Sequence, residues 1–334
     1  MAQRGLGSLG PVTKPPNSPT SSSESGLSSA LSDLDLFDNL VASTNDRLRQ
    51  YQRLDHDDDT VTLLQTALEY LPKAGRMNLM LDISSCDDKD IKQLRDHFVD
   101  AILKPMKATG AQTPVVTASP SESAATMVAV QKGLILPPDS KDEQSKMKAD
   151  CLNRDDHRCA ITRSLDENWQ MAHRDLYPKD TIVDVTECAH ILPHALGSFD
   201  PDRAQEVENA AVVWAALYRF FPALVGQIEP ETINSNSNGI TLSTNLYRYF
   251  GRFGLYFERM DQPNTYRLVW RANYPVKASS PKVITFETKD PSVPVPNPHF
   301  LQVHCVVAKI LDLQIGKLTI DVGNLSALEA KFHI

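Results

Sequence analysis

Two short segments constrain this chain more than any other part of it. The first, Glu187–Pro193 (ECAHILP), closes a run from Thr181 to Leu192 that is rich in β-branched residues and favours a strand. It sets His190 where that strand meets a loop, and Pro193 fixes the exit of the chain. The second is Ser237–Glu258 (SNGITLSTNLYRYFGRFGLYFE). Its Asn238-Gly239 pair is a strong turn signal. Thr241–Phe250 reads as a short helix opened by that turn, and Leu255–Met260 with Tyr266–Trp270 read as paired strands.

The rest of the chain reads as mainly helical. Residues 1–30 are dominated by Ser, Pro and Gly and read as a disordered tail. Leu34, Phe37, Leu40 and Val41 recur at helical spacing. Asp57–Asp59 then precede a stripe of Val61, Leu64, Ala67, Leu68 and Leu71 that Pro72 closes, the acids suiting a helix N-terminus. Asp87–Asp90 open another helix, with Ile91, Leu94, Phe98, Ile102 and Leu103 as its apolar face and Pro105 as its stop. Further helices are expected from about Ser140 to Arg154, over Val207–Phe221 before Pro222, and over His299–Leu313; Cys159–Arg163 reads as a short strand or turn. The organisation expected is a tail over 1–30, a helical region over 31–110, a linker over 111–140, an α+β unit over 141–275 and an extension with a helix over 276–334.

Composition narrows the class. No apolar run in the 334 residues approaches the roughly 18 needed to span a membrane. Met1–Gly10 lacks a signal-peptide pattern, so an intracellular protein is expected. The five cysteines contain no C-x-x-C, which argues against a disulfide framework and against a structural zinc site. The net charge of −8 gives no bulk attraction to nucleic acid. Tyr247–Arg271 goes the other way, with Arg248, Arg252, Arg259, Arg267 and Arg271 among eight aromatics. A phosphate backbone could use that patch; alternatively the aromatics are core and the arginines their solvated edge.

With these residues laid out, a resemblance can be named. The element A-H-I-x-P, followed by N-G-(I/L)-x-L-x-x-x-x-H-x-x-F-(G/D)-x-F, is similar to the HNH endonuclease domain, a His-Me finger, of filamentous-fungal proteins. Arg154–Arg163, Ala101–Pro114 and Pro296–Leu311 resemble the segments that flank it, so the resemblance covers most of residues 60–325. It implies a ββα-metal core inside a mainly helical chain of α+β class. It also implies hydrolysis of nucleic-acid phosphodiesters with one divalent metal, Mg²⁺ or similar. Such chemistry needs a base for the attacking water and positive charge on the phosphate.

By position, His190 falls on the general base and Asn238 on the asparagine that steadies its loop. Tyr247 falls on the metal-binding histidine, and Ala189 occupies the place before the base where many relatives carry a ligand. Glu187 is a candidate ligand, although on a regular strand it points away from the His190 face unless a bulge intervenes; Asp184 and His194 are also near in sequence. Arg248, Arg252 and Arg259 are the candidate nucleic-acid contacts. The alternative is a degenerate HNH domain that binds nucleic acid or protein without cutting.

Overall fold

The computed structural model describes residues 23–108, 116, 119–120, 140–271 and 281–314. Most of the expected tail and linker lies outside these residues, although the chain is already helical from Ser23.

The first half is a set of helices: α1 (Ser23–Gln50), α2 (Thr60–Tyr70), α3 (Lys73–Ser85) and α4 (Asp88–Phe98). The acidic run before α2 is a capping turn, in which Asp58 accepts from the Thr60 and Leu54 amides and from the Tyr51 hydroxyl. Asp87 caps α4 by accepting the Asp90 amide at 2.9 Å. Ile91, Leu94 and Phe98 are fully buried, as the stripe predicts. Pro105 does not stop this helix. A π-helical turn, Val99–Leu103, carries the chain into a last turn, Lys104–Lys107, that contains it. The wider turn has already displaced the regular i−4 hydrogen bonds, so a residue without an N–H is tolerated there.

The second half begins with α5 (Ser140–Arg154) and continues through β1 (Leu165–Asp166), α6 (Glu167–Ala172), β2 (Val183–Asp184) and β3 (Thr186–His190). After α7 (Ala204–Phe220) come β4 (Gly239–Ser243), α8 (Thr244–Gly251), β5 (Leu255–Arg259), β6 (Thr265–Trp270), β7 (Val283–Thr285) and α9 (Pro298–Gln314). The strands among the described residues form three small sheets, β1-β2, β3-β4 and β5-β6-β7, a mixture with helices compatible with the α+β class.

Two boundaries differ from the sequence reading. The run Thr181–Leu192 is two strands. The Val185 carbonyl between them accepts the Thr244 amide at the start of α8, so the chain leaves β1 and joins β4 at that point. Thr241–Ser243 belongs to β4 and not to the helix, because these residues pair with Cys188–Thr186; Asn238 therefore precedes a strand.

Helical region and second half share one apolar cluster that runs from Leu48 to Leu311. Where α3 crosses α7, a Cβ on Gly75 would lie 1.8 Å from the Phe220 carbonyl oxygen, so only glycine allows that approach. Beside it, buried Asp82 takes a two-pronged ion pair from Arg219, whose carbonyl accepts Asn78 Nδ2 at 2.7 Å.

Candidate functional site

The site is built on the β3–β4 hairpin. Register is unbroken from Thr186↔Ser243 to His190↔Gly239, so there is no bulge to turn Glu187 towards the His190 face. Helix α5 lies close against this hairpin. A Cβ on Gly239 would sit 2.6 Å from Met147 Cε, 2.7 Å from Cys151 Sγ and 3.0 Å from Cys188 Sγ. The glycine of the Asn-Gly pair thus makes room for a helix as well as a turn. Helix α8, which follows β4, buries Leu246 and Phe250, one helical turn apart.

Asn238 is fully buried. Its Oδ1 accepts the Leu192 amide, and its Nδ2 donates to the Leu192 and Ile233 carbonyls, all at 2.9 Å. Its own carbonyl accepts the Ile191 amide at 2.8 Å. The loop that leaves His190 is therefore tied to the entry of β4 by three hydrogen bonds through one residue, and the fourth joins that residue to Ile233.

His190 ends β3, with its Nε2 2.9 Å from Asn234 Oδ1. Asn234 Nδ2 in turn donates to Glu143 Oε2 on α5 at 3.3 Å. His194 stands edge-on to the His190 ring at 5.6 Å and meets Gln144 through its Nε2 at 2.9 Å. Burial lowers the imidazole of His190 to a pKa of about 4; the Asn234 bond opposes that shift and nearby His194 adds to it. The ring is thus neutral at physiological pH, the form that can accept a proton.

Below the hairpin, the fully buried guanidinium of Arg154 holds several segments in place. It pairs with Asp155 at 2.8–2.9 Å and donates to the carbonyls of Asn236, Gly239 and Pro294. Asp155 accepts the Thr241 amide of β4.

The donor side of the site is poorer. Tyr247 lies on the exposed face of α8. Although the residue is partly exposed, desolvation of its phenol, helped by the nearby Glu187 carboxylate, pushes its pKa above the ordinary value, so it stays protonated. Glu187 is ion-paired with Lys148 of α5 at 3.1 Å. Ala189 is buried and has no donor. No hydrogen bond or ring contact among the described residues joins Tyr247 to His190. No group of three or more His, Cys, Asp or Glu among them could hold a metal ion. A protonated phenol and one carboxylate tied to a lysine do not fit a hard divalent cation, which takes ionised oxygen donors.

Of the basic patch, Arg248, Arg252 and Arg259 are exposed. Arg267 is paired with Glu258, and buried Arg271 with Asp312. Most of the interleaved aromatics (Phe250, Phe253, Tyr256, Phe257 and Tyr266) are core, which leaves Arg248, Arg252 and Arg259 as exposed cations of this stretch.

Against this geometry the comparison with known families is informative. Residues 159–258 match the family model of the HNH endonuclease. The matched segment of this HNH-like unit includes β3, β4, α8 and β5, but α5 lies before it. HNH nucleases typically use a divalent metal, and the candidate donors here do not suit one. Among curated proteins, and among solved structures, no match was found. No described helix is long and apolar enough to cross a membrane.

Several residues that shape the site carry no signal in the motif. Asn234, Glu143, His194 and Arg154 reach it from α5 and from the segment between β3 and β4. The one readable sign is the alternation Asn234-Ser-Asn236-Ser-Asn238. Its three asparagines meet His190, Asp150 and Leu192 in turn.

Proposed function

We propose that the HNH-like unit binds nucleic acid and keeps the base half of a phosphodiester-cleaving site without its metal half, so that cutting is lost or severely weakened. The observation that carries this reading is Tyr247 at the final motif position, a protonated phenol where the motif calls for an imidazole. Arg248, Arg252 and Arg259 are the contacts proposed for the phosphate backbone, to which each would be attracted whatever the sequence.

The test pairs binding with cleavage. Fluorescence anisotropy on single- and double-stranded DNA and on structured RNA should show binding that weakens with salt. Plasmid and RNA incubated with Mg²⁺, Mn²⁺, Ni²⁺ or Zn²⁺ should stay intact. Cutting that depends on metal and vanishes in His190→Ala would sink the impaired-site reading. Failure to bind any of the three probes would sink nucleic acid as the ligand.

One observation favours the second reading, an active hydrolase with His190 as general base. The imidazole sits at a strand end, is hydrogen-bonded to Asn234 and is followed by a loop clamped by buried Asn238. On this reading His190 takes the proton of the attacking water, and the same cleavage assay decides between the two.

A further inference from the structure

We propose that Glu143 and Asn234 are positioning residues that hold His190 with its proton on Nε2, leaving Nδ1 as the acceptor that faces any water or ligand proton. Neither residue belongs to the motif, and Glu143 lies outside the segment matched to the family.

An amide's oxygen and nitrogen ends are told apart by their partners. Glu143 Oε2 stands 3.3 Å from one end of the Asn234 amide. A carboxylate only accepts, so that end must be the NH₂ group. The other end, 2.9 Å from His190 Nε2, is then the carbonyl oxygen. An amide oxygen only accepts, so His190 Nε2 must carry hydrogen. A neutral imidazole has one N–H, which leaves Nδ1 with a lone pair. Among the described residues Nδ1 has no hydrogen-bond partner, and it is not one of the buried polar atoms left unsatisfied. The opposite tautomer would turn the amide round and set its oxygen against the carboxylate.

The same logic excludes two nearby groups as the orienting partner. His194 meets the ring edge-on at 5.6 Å and has its own partner in Gln144. Asn238 spends its whole amide on backbone groups. Among the described residues, only Asn234 hydrogen-bonds an imidazole nitrogen of His190.

As a statement about proton acceptance, this inference rests on the place given to His190 in the reading above. The tautomer is measured without nucleic acid or metal, so failure of that reading leaves the result untouched. The experiment is a long-range ¹H–¹⁵N correlation spectrum of the ¹⁵N-labelled full chain near neutral pH. His190→Gln supplies the assignment. The wild type should show His190 Nδ1 at the shift of an unprotonated nitrogen and Nε2 at that of a protonated one. Asn234→Ala should bring the two shifts together, as the tautomers mix. Glu143→Lys, at an exposed position, reverses the demand on the amide and should invert the pattern, with Nδ1 protonated. A wild-type ring protonated on Nδ1 overturns the proposal. So does a Glu143→Lys spectrum identical to the wild type. Because the wild-type spectrum and Glu143→Lys each bear on it separately, poor folding of Asn234→Ala leaves the test intact.

Discussion

One side-chain amide, that of Asn238, holds both the N–H and the carbonyl of Leu192, each at 2.9 Å. A third bond to the Ile233 carbonyl uses its last donor hydrogen. Asn238→Ala strands these buried groups, and urea unfolding is expected to show a loss of roughly 2–4 kcal/mol. Asn238→Asp keeps the acceptor but faces two carbonyls with an anion. At neutral pH it should be at least as destabilising as alanine, and it should recover in acid. An aspartate variant as stable as the wild type would mean that the clamp does not hold the loop.

A different weakness is expected at Arg154. Arg154→Met leaves Asp155 as a buried, unpaired charge, which should cost about 3–5 kcal/mol. Adding Asp155→Ala should restore part of that loss and no more, because the carbonyls of Asn236, Gly239 and Pro294 still lack their donor. Thermal unfolding of the two single variants and the double variant measures the coupling.

Acid should loosen the fold through histidines buried in the neutral state. His304 is stacked between Phe250 and Phe253, with Nε2 3.1 Å from the Phe250 carbonyl, and burial lowers its pKa to about 3. The folded pKa lies below the unfolded value near 6.5, so the unfolded chain binds more protons between the two. The stability this group contributes is complete above 6.5. It falls with pH by up to about 1.4 kcal/mol per unit on the way to its folded pKa. His190, lowered to about 4, acts in the same direction over a shorter range. His304→Leu should flatten melting temperature against pH relative to the wild type. Parallel curves would show that this ring titrates normally.

Tyr247→His asks whether the metal half can be rebuilt. The imidazole would join Glu187, which must first give up Lys148. Calorimetry is expected to show at least about tenfold tighter Ni²⁺ or Zn²⁺ binding than the wild type, or roughly 1.4 kcal/mol, with the gain lost in Tyr247→His/Glu187→Gln. No gain would mean that the two positions do not converge on one ion.

Nucleic-acid affinity should depend on the exposed arginines in a sequence-independent way. Arg248→Ala and Arg259→Ala should each lower the slope of log affinity against log salt by about one. Unchanged slopes would put the binding surface elsewhere.

The sequence made β3, which ends at His190, the turn at Asn238 and α8 legible because their signals are local: β-branched residues in the strand, an Asn-Gly pair and a short helical stretch. Local signals also misled. Thr241–Ser243 lies in a stretch that reads as helix, yet pairing with β3 overrides that preference. Pro105 is a helix stop in isolation and is absorbed by a π-helical turn. The partners of His190 could not be read, because α5 and the segment after α7 meet only once the chain is packed. A Glu143–Asn234 bond across 91 positions leaves no periodic trace.

The ion pair between Asp82 and Arg219 has a consequence for portability. It fastens the insertion between the two strands of the hairpin to the N-terminal helices, while Arg154 fastens the hairpin to the segment after β7. The stretch recognisable as HNH and the stretch that must move together to stay folded are therefore different lengths of chain. Grafted into another protein as residues 159–258 alone, the motif would arrive without the helix that covers Gly239, without the carboxylate behind Asn234, and with the α3-facing side of α7 uncovered.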